Sequence, residues 1–215
     1  MTLHTDWRHI PANARGTVAA LGNFDGVHLG HAHLLQTLKT AQPDQPLSVV
    51  TFDPHPRELF RPQDPPFRLM LPDVRAEALA EHGVEHVFQI PFDTEFSHLS
   101  AEEFVRDVLI GALGVSHVAC GADFAFGHRR GGDIACLESI LKSHGIGLTI
   151  VPQLSDVGGP LASSRIRRLL QEGYPERAAA ELGRPWAITG KVVKGDQRGR
   201  LLGFPTANIP LTQHI

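Results

Sequence analysis

The 215-residue sequence has little of what staples or anchors a small domain: two cysteines, two tryptophans, one tyrosine and only 7% aromatic residues in all. Cys120 and Cys136 stand in neither a close metal-ligand spacing nor a redox motif, and two thiols are too few for a disulfide scaffold, so both are expected to be reduced. No apolar run approaches the roughly 18 residues that cross a bilayer, and residues 1–7 lack the apolar stretch of a signal peptide. The expectation is a cytoplasmic protein with no membrane partner. Excess positive charge is missing too. With 20 Lys and Arg against 23 Asp and Glu the formal charge is -3, so no overall field gathers nucleic acid, although a local anion site is compatible with that balance. Internal repeats and low-complexity tracts are absent. What remains is 42% hydrophobic and 20% charged residues, an ordinary globular composition with length for one substantial core and too little for two full domains.

The apolar pattern alternates between strand-like and helix-like periods. Residues 17–22 form a short apolar run closed by glycine, and Leu29, Leu34, Leu35 and Leu38 follow at helical spacing, which reads as strand, tight loop, helix. Strands are predicted at 47–52, 86–90, 117–120 and 146–151, with helices over 72–82, 101–113, 133–144, from Ser163 to Gly173, and over 175–182. That alternation favours a parallel sheet with crossover helices. Gly183 and Pro185 mark a boundary, after which Trp186, Ile188, Val192, Val193 and repeated glycines suggest strands and turns in a stretch too short to bury a core alone.

Four segments carry candidate chemistry. GNFDGVHLGHAH at 22–33 lies between the first strand and its helix, at the sheet edge where α/β proteins bind ligands. Gly22, Gly26 and Gly30 allow close backbone approach, helix N-terminal amides suit phosphate oxygens, and His28 and His31 share a face if the helix begins near His28. A glycine turn with surface histidines fits the same spacing; Asp25, His28 and His31 do not form a recognised zinc pattern, and the Gly-Lys-Ser/Thr ending of a Walker motif is missing. In TFDPHP at 51–56, two prolines restrict His55 after the next strand, either as a group reaching the same crevice or as a turn residue bonded to backbone. GADFAFGHRRGGD at 121–133 supplies Phe124 and Phe126 for planar packing and Arg129 and Arg130 for anions. LASSRIRRLL at 161–170 sets Ser163 or Ser164 to cap a basic helix, whose ordinary alternative is an amphipathic solvent face. Together they favour an anionic nucleotide or phosphorylated substrate and leave the reaction open.

These segments, occurring in this order and followed by GKVVKGDQRGRLLGFPTANI at 190–209, resemble the bacterial bifunctional riboflavin kinase/FMN adenylyltransferases, the FAD synthetases. The resemblance covers almost the whole chain. It implies a Rossmann-like nucleotidyltransferase domain over 1–184, then the opening fragment of a riboflavin kinase β-barrel over 185–215. It implies ATP and FMN as substrates, FAD as product and Mg²⁺ as the metal. On the matching motifs, His28, His31 and Arg167 are the catalytic candidates. Gly22, Asn23, Phe24, Asp25, Gly30, Ser163, Ser164 and Arg165 fall on the ATP side, and His55, Asp123, Phe124, Phe126, Gly127 and Arg130 on the flavin side. Thr206 and Asn208 match the kinase module's PTAN residues, associated with Mg·ATP, while no metal ligand is assigned in the first domain. One departure stands out: the family's two serines and threonine before the arginine helix are Ala162, Ser163 and Ser164 here, one hydroxyl fewer.

The resemblance implies FMN adenylyltransferase activity. Riboflavin phosphorylation is not expected, because most of the barrel lies beyond Ile215. Two other functions stay open at this point: nucleotidyl transfer to a different phosphorylated acceptor, and a catalytically weak flavin-binding or regulatory module. Small-molecule nucleotides and flavins are the expected partners, with no nucleic acid.

Overall fold

The computed structural model describes residues 1–195, 198–204 and 206–210. Six strands, β1 (Thr2–His4), β2 (Val18–Leu21), β3 (Leu47–Asp53), β4 (His86–Pro91), β5 (His117–Gly121) and β6 (Gly147–Val151), form one sheet in the order β1-β4-β3-β2-β5-β6 with every pairing parallel. The central strand β2 reads VAAL and is buried throughout, as a strand covered on both faces must be. Alternation divides its side chains: Ala19 and Leu21 join the core on one face, Val18 and Ala20 that on the other. The one polar layer in this region is internally satisfied, Thr17 and Ser48 sharing a 2.8 Å hydroxyl bond.

Helices cover both faces. Along the chain they are α1 (Leu29–Ala41), α2 (Pro56–Phe60), α3 (Pro72–Glu81), α4 (Thr94–Ser97), α5 (Ala101–Glu103), α6 (Ile134–Ser143), α7 (Ser163–Gln171), α8 (Pro175–Leu182) and a short α9 (Arg198–Leu201). Leu34, Leu35 and Leu38 of α1 pack with Leu79 of α3 on one face, and Leu137 and Leu141 of α6 pack on the other. There α5 runs on into the π-helical segment Phe104–Ala112, with Leu113 N–H reaching Val108 O, five residues back, at 2.9 Å. A smaller cluster of Leu69, Ile166, Ala178 and Leu182 holds α7 and α8 against the domain. Between β6 and α7 a two-stranded antiparallel ribbon forms from β7 (Ser155–Asp156) and β8 (Gly159–Pro160).

All five predicted strands form. The sixth, β1, has no apolar run to announce it; it pairs with β4, and its Thr2 N–H reaches Glu85 O at 2.7 Å. After Gly183 the described residues contribute α9 and one antiparallel bridge between Val193 and Asn208. Among the described residues no helix is long and apolar enough to cross a membrane. Both cysteines are free.

Strand order places the site. The chain leaves β2 for β3 on one side, whereas β5 lies against the other side of β2, so the loops after β2 and β5 diverge and leave a crevice at the carboxyl ends of the strands.

Candidate active site

A cleft of about 910 Å³ opens at that point. Its β2 wall carries Gly22, Asn23, Phe24, His28, Gly30 and His31; its β5 wall carries Asp123, Phe124, Phe126, Gly127 and Arg130; Ser163 closes it from the start of α7. These twelve sequence-selected residues are thus brought together.

The β2 loop is shaped by backbone conformations that side chains seldom adopt. Phe24 sits at φ 51° and Gly26 at φ 86°. Glycine suits that φ, and a Cβ on Gly26 would in addition meet Leu69 Cδ1 at 2.7 Å, so that the Leu69 side chain would have to shift. The buried Phe24 ring leans on His31 at 4.8 Å.

His28 caps α1 through an unusual capping box. Its Nδ1 accepts from Gly30 N (3.1 Å) and His31 N (3.4 Å), while His31 Nδ1 accepts from His28 N at 3.3 Å. A neutral imidazole that accepts at Nδ1 carries its proton on Nε2. Both histidines therefore have Nε2–H as their one remaining donor, with the rings stacked 3.7 Å apart. Burial pushes His28 down to about 4, against the pull of Asp25 and with the help of Arg167 and Arg184; His31 is also held well below the usual imidazole value, by burial first and then by His28 and Arg75.

Asp25, expected beside ATP, faces inward. It is 4% exposed, and its carboxylate accepts from Leu69 N at 3.1 Å, Met70 N at 3.3 Å and Arg167 Nη2 at 2.6 Å. Arg167 also donates through Nε to Phe67 O at 2.8 Å and lies over the Phe67 ring. Neither residue lines the cleft, because each is the other's counter-charge.

Ser163 does not cap α7. Its hydroxyl donates to Asp25 O at 2.8 Å, Ala162 occupies the cap position with no side-chain bond, and the first-turn amides of α7 are left without a side-chain acceptor beside the cleft. Ser164 lies outside the lining, as does Arg165, which pairs with Asp156 at 2.7 Å and buried Glu181 at 2.6 Å and so ties the ribbon to α8. His55 is likewise off the cleft: its Nδ1 accepts from Arg57 N at 3.1 Å to cap α2, its ring stands edge-on to Phe67, and burial holds its titration at about 4. It supports the wall through Pro56 and Arg57, which do line it.

On the β5 wall, Phe124 and Phe126 stack at 5.5 Å and 16°. The loop is pinched shut by paired backbone bonds between Phe126 and Gly132 (2.9 and 3.0 Å), and a Cβ on Gly127 would strike Ala101 N at 2.6 Å. Asp123 accepts from Gln153 Nε2 at 2.8 Å, which fixes the loop to the segment after β6. Arg129 and Arg130 have φ of 52° and 58° and no ion pair among the described residues.

The sequence reading missed several cleft residues. Phe52 and Phe92 come from the ends of β3 and β4, Phe60 from α2, and His98 and His128 stack at 5.1 Å with each Nδ1 at a backbone carbonyl. Phe52 and Phe92 had a usable signal in their position, since residues at the carboxyl ends of parallel strands border the ligand crevice. It also missed Arg184 and Trp186, which bond the carbonyls of Gly26 (2.7 Å), Val27 (3.0 Å) and Leu69 (3.0 Å) and bind the boundary segment to the β2 loop.

A protein-held Mg²⁺ does not fit these donors. Magnesium wants free carboxylate oxygens, yet the Asp25 carboxylate is already engaged by Arg167 and two amides, and among the described residues no three His, Cys, Asp or Glu side chains gather as a metal group. Thr206 and Asn208 lie exposed in the tail, away from the cleft.

Residues 10–165 match the family model for FAD synthetase, and residues 182–215 match that for riboflavin kinase. The bifunctional riboflavin kinase/FMN adenylyltransferase of Escherichia coli K12 is 39% identical over 206 residues, 95% of this chain and 66% of that protein. Its counterpart in Listeria monocytogenes is 37% identical over 199 residues, 91% of this chain and 63% of its own. The chain thus spans about two thirds of the length of these relatives. A crystal structure described as a macrolide-efflux protein from Streptococcus pneumoniae superposes with a TM-score of 0.86 at 30% identity, covering 100% of this chain and 70% of that one. With the family model spanning five of the six strands of the parallel sheet, β2 to β6, and both walls of the cleft, the chain belongs to the FAD synthetase family.

Proposed function

We propose that residues 1–184 carry FMN adenylyltransferase activity, transferring the adenylyl group of ATP to FMN to give FAD and pyrophosphate. One observation carries the reading: a phosphate-seeking wall and an aromatic, arginine-bearing wall face each other across a single cleft at the switch point of the sheet. Its roughly 910 Å³ lies near the upper end of ligand-site volumes, suited to two reactants held together.

In this reading a terminal phosphate oxygen of FMN attacks the α-phosphorus of ATP, a new P–O bond forms, and the bond to the β-phosphate breaks to release pyrophosphate. No protein nucleophile is needed, because FMN brings its own. The work left to the protein is alignment and the offset of like charge. His28 and His31 offer Nε2–H to the triphosphate as neutral donors. The N-terminus of α7 adds amides, the N-termini of α1 and α7 both add the positive ends of their dipoles, and Gly22, Asn23, Phe24, Gly30 and Ser163 complete that wall. Phe124 and Phe126 pack against the isoalloxazine, and Arg130 faces the flavin phosphate. Asp25, Arg167, Arg165 and His55 act from behind the walls, by holding the loops that carry the donors.

Nucleotides and flavins are then the small-molecule partners, and the cytoplasm is the compartment. Residues 185–215 are assigned to the kinase module's opening fragment, and riboflavin is not expected to be phosphorylated by these 215 residues. The test incubates the purified chain with ATP and Mg²⁺ and with either FMN or riboflavin, following FAD and pyrophosphate by chromatography. FAD forms from FMN alone, and the His28→Ala and His31→Ala variants each lose on the order of a hundredfold in turnover while staying folded. A folded chain that binds both substrates and makes no FAD refutes the activity, and pyrophosphate release with another phosphorylated acceptor redirects it.

A further inference from the structure

Arg75, on α3, is 4% exposed, yet among the described residues no carboxylate hydrogen-bonds to it. Its Nη1 donates to Asn23 O at 3.1 Å, and its Nη2 donates to Gln89 Oε1 at 3.1 Å and, more loosely, to Phe52 O at 3.5 Å. All three acceptors are neutral. A buried guanidinium without a bonded counter-charge is costly to keep; burial draws its pKa down to about 10, so it remains charged at neutral pH. What the arginine does for that cost is join the ends of β3 and β4 to the loop after β2. The Asn23 carbonyl receives a second bond, from Thr51 Oγ1 of β3 at 3.0 Å. Two donors from beneath the cleft therefore fix one carbonyl of the ligand loop.

The consequence lies in the peptide that follows. In a trans peptide the N–H points opposite to the C=O. With the Asn23 carbonyl held down by Arg75 and Thr51, the N–H of Phe24 is turned away from them, and it has no acceptor in the protein among the described residues. The clamp also holds Phe24 at φ 51°, a left-handed conformation that costs about 1–2 kcal/mol in a non-glycine residue.

We propose that Arg75 is a positioning residue for triphosphate binding: by clamping the Asn23 carbonyl together with Thr51, it turns the Phe24 N–H toward the nucleotide side of the cleft. This rests on reading the β2 wall as the ATP side. Arg75 does not line the cleft, and its effect passes through the loop alone.

The test separates the two walls. ATP binding to Arg75→Met, Arg75→Lys and Thr51→Val is measured by calorimetry in Mg²⁺ buffer, and FMN binding by quenching of flavin fluorescence. Arg75→Met weakens ATP at least tenfold. Arg75→Lys, which keeps the charge but cannot fork between Asn23 and Gln89, weakens it three- to tenfold, and Thr51→Val shifts it in the same direction. FMN affinity stays within twofold in all three. Should Arg75→Met fail to fold, the other two variants decide. Unchanged ATP affinity overturns the proposal, and so does an equal loss for ATP and FMN, which would mark a purely structural arginine. A wild-type chain that binds ATP without making FAD would sink the proposed transferase activity and leave this test intact.

Discussion

Replacing Asp25 by alanine removes the only ion-pair partner that Arg167 has among the described residues; the Arg167 side chain is 14% exposed against 5% for Asp25. A surface carboxylate waiting for substrate would be lost at little cost, within about 0.5 kcal/mol. Here the same truncation strands a nearly buried guanidinium and takes the acceptor from the N–H groups of Leu69 and Met70. Breaking one side of a buried pair costs about 3–5 kcal/mol, and at roughly 2–4 °C per kcal/mol for a domain of this size the melting temperature should fall by about 10 °C. Thermal melts followed by circular dichroism measure it. The physical cause is checked by Asp25→Asn/Arg167→Met, which keeps an acceptor for the amides while deleting both charges and should recover more than half of the loss. A drop below about 3 °C in Asp25→Ala, or no recovery in the double variant, would show that the pair does not hold the loop.

Two further outcomes follow from the same geometry. His28 and His55 each titrate near 4 in the folded chain against 6.5 when unfolded, so their contribution to stability is complete above pH 6.5 and is lost as the pH falls toward 4; each amounts to about 3 kcal/mol over that window. Melting temperature should therefore fall steeply between pH 6.5 and 4.5, with a smaller slope in His28→Gln, and equal slopes in the two proteins would contradict the assignment. Phe124→Ala removes one ring of the stacked pair on the β5 wall and should weaken FMN about tenfold with ATP affinity unchanged; fluorescence and calorimetry on the same preparation check it, and a change confined to ATP would reverse the two walls.

Much of the fold is legible in the sequence because long parallel strands betray themselves. VAAL in β2 and LSVV in β3 are buried runs with no other reading as short segments between turn signals. The elements that escape are those whose stability comes from a partner. β1 is three residues with Leu3 42% exposed, and it exists as a pairing with β4; α2 and α4 have five and four residues, shorter than any periodicity can mark. Both cleft walls could be read from local motifs, since each is one contiguous loop. The pairings behind the walls could not. Asp25 and Arg167 are 142 residues apart, and Ser163, a cap by its local context, spends its hydroxyl on a carbonyl 138 residues away. Arg75 carries no motif that singles it out in the sequence, and only the convergence of three strand ends on it gives it a task.

The two cleft histidines tie local structure to chemistry more tightly than either does alone. Their Nδ1 atoms are committed as acceptors to the amides that begin α1, which leaves Nε2–H as the group turned to a ligand. Protonation would place a second N–H where each lone pair now accepts, so a charged His28 cannot cap the helix. Losing a helix cap costs about 1 kcal/mol, added to the cost of charging a buried ring. Neutrality of the donors and the start of α1 are therefore one property. Under the proposed activity the β2 wall would meet phosphates with neutral N–H groups over a buried arginine, while Arg129 and Arg130, which have no ion pair among the described residues, stand on the β5 side. In the proposed reading, the exposed positive charge of Arg129 and Arg130 would serve the flavin phosphate as it is brought in against another anion, whereas the positive charge beneath the β2 wall is buried or half-buried and engaged by protein carbonyls and the Asp25 carboxylate.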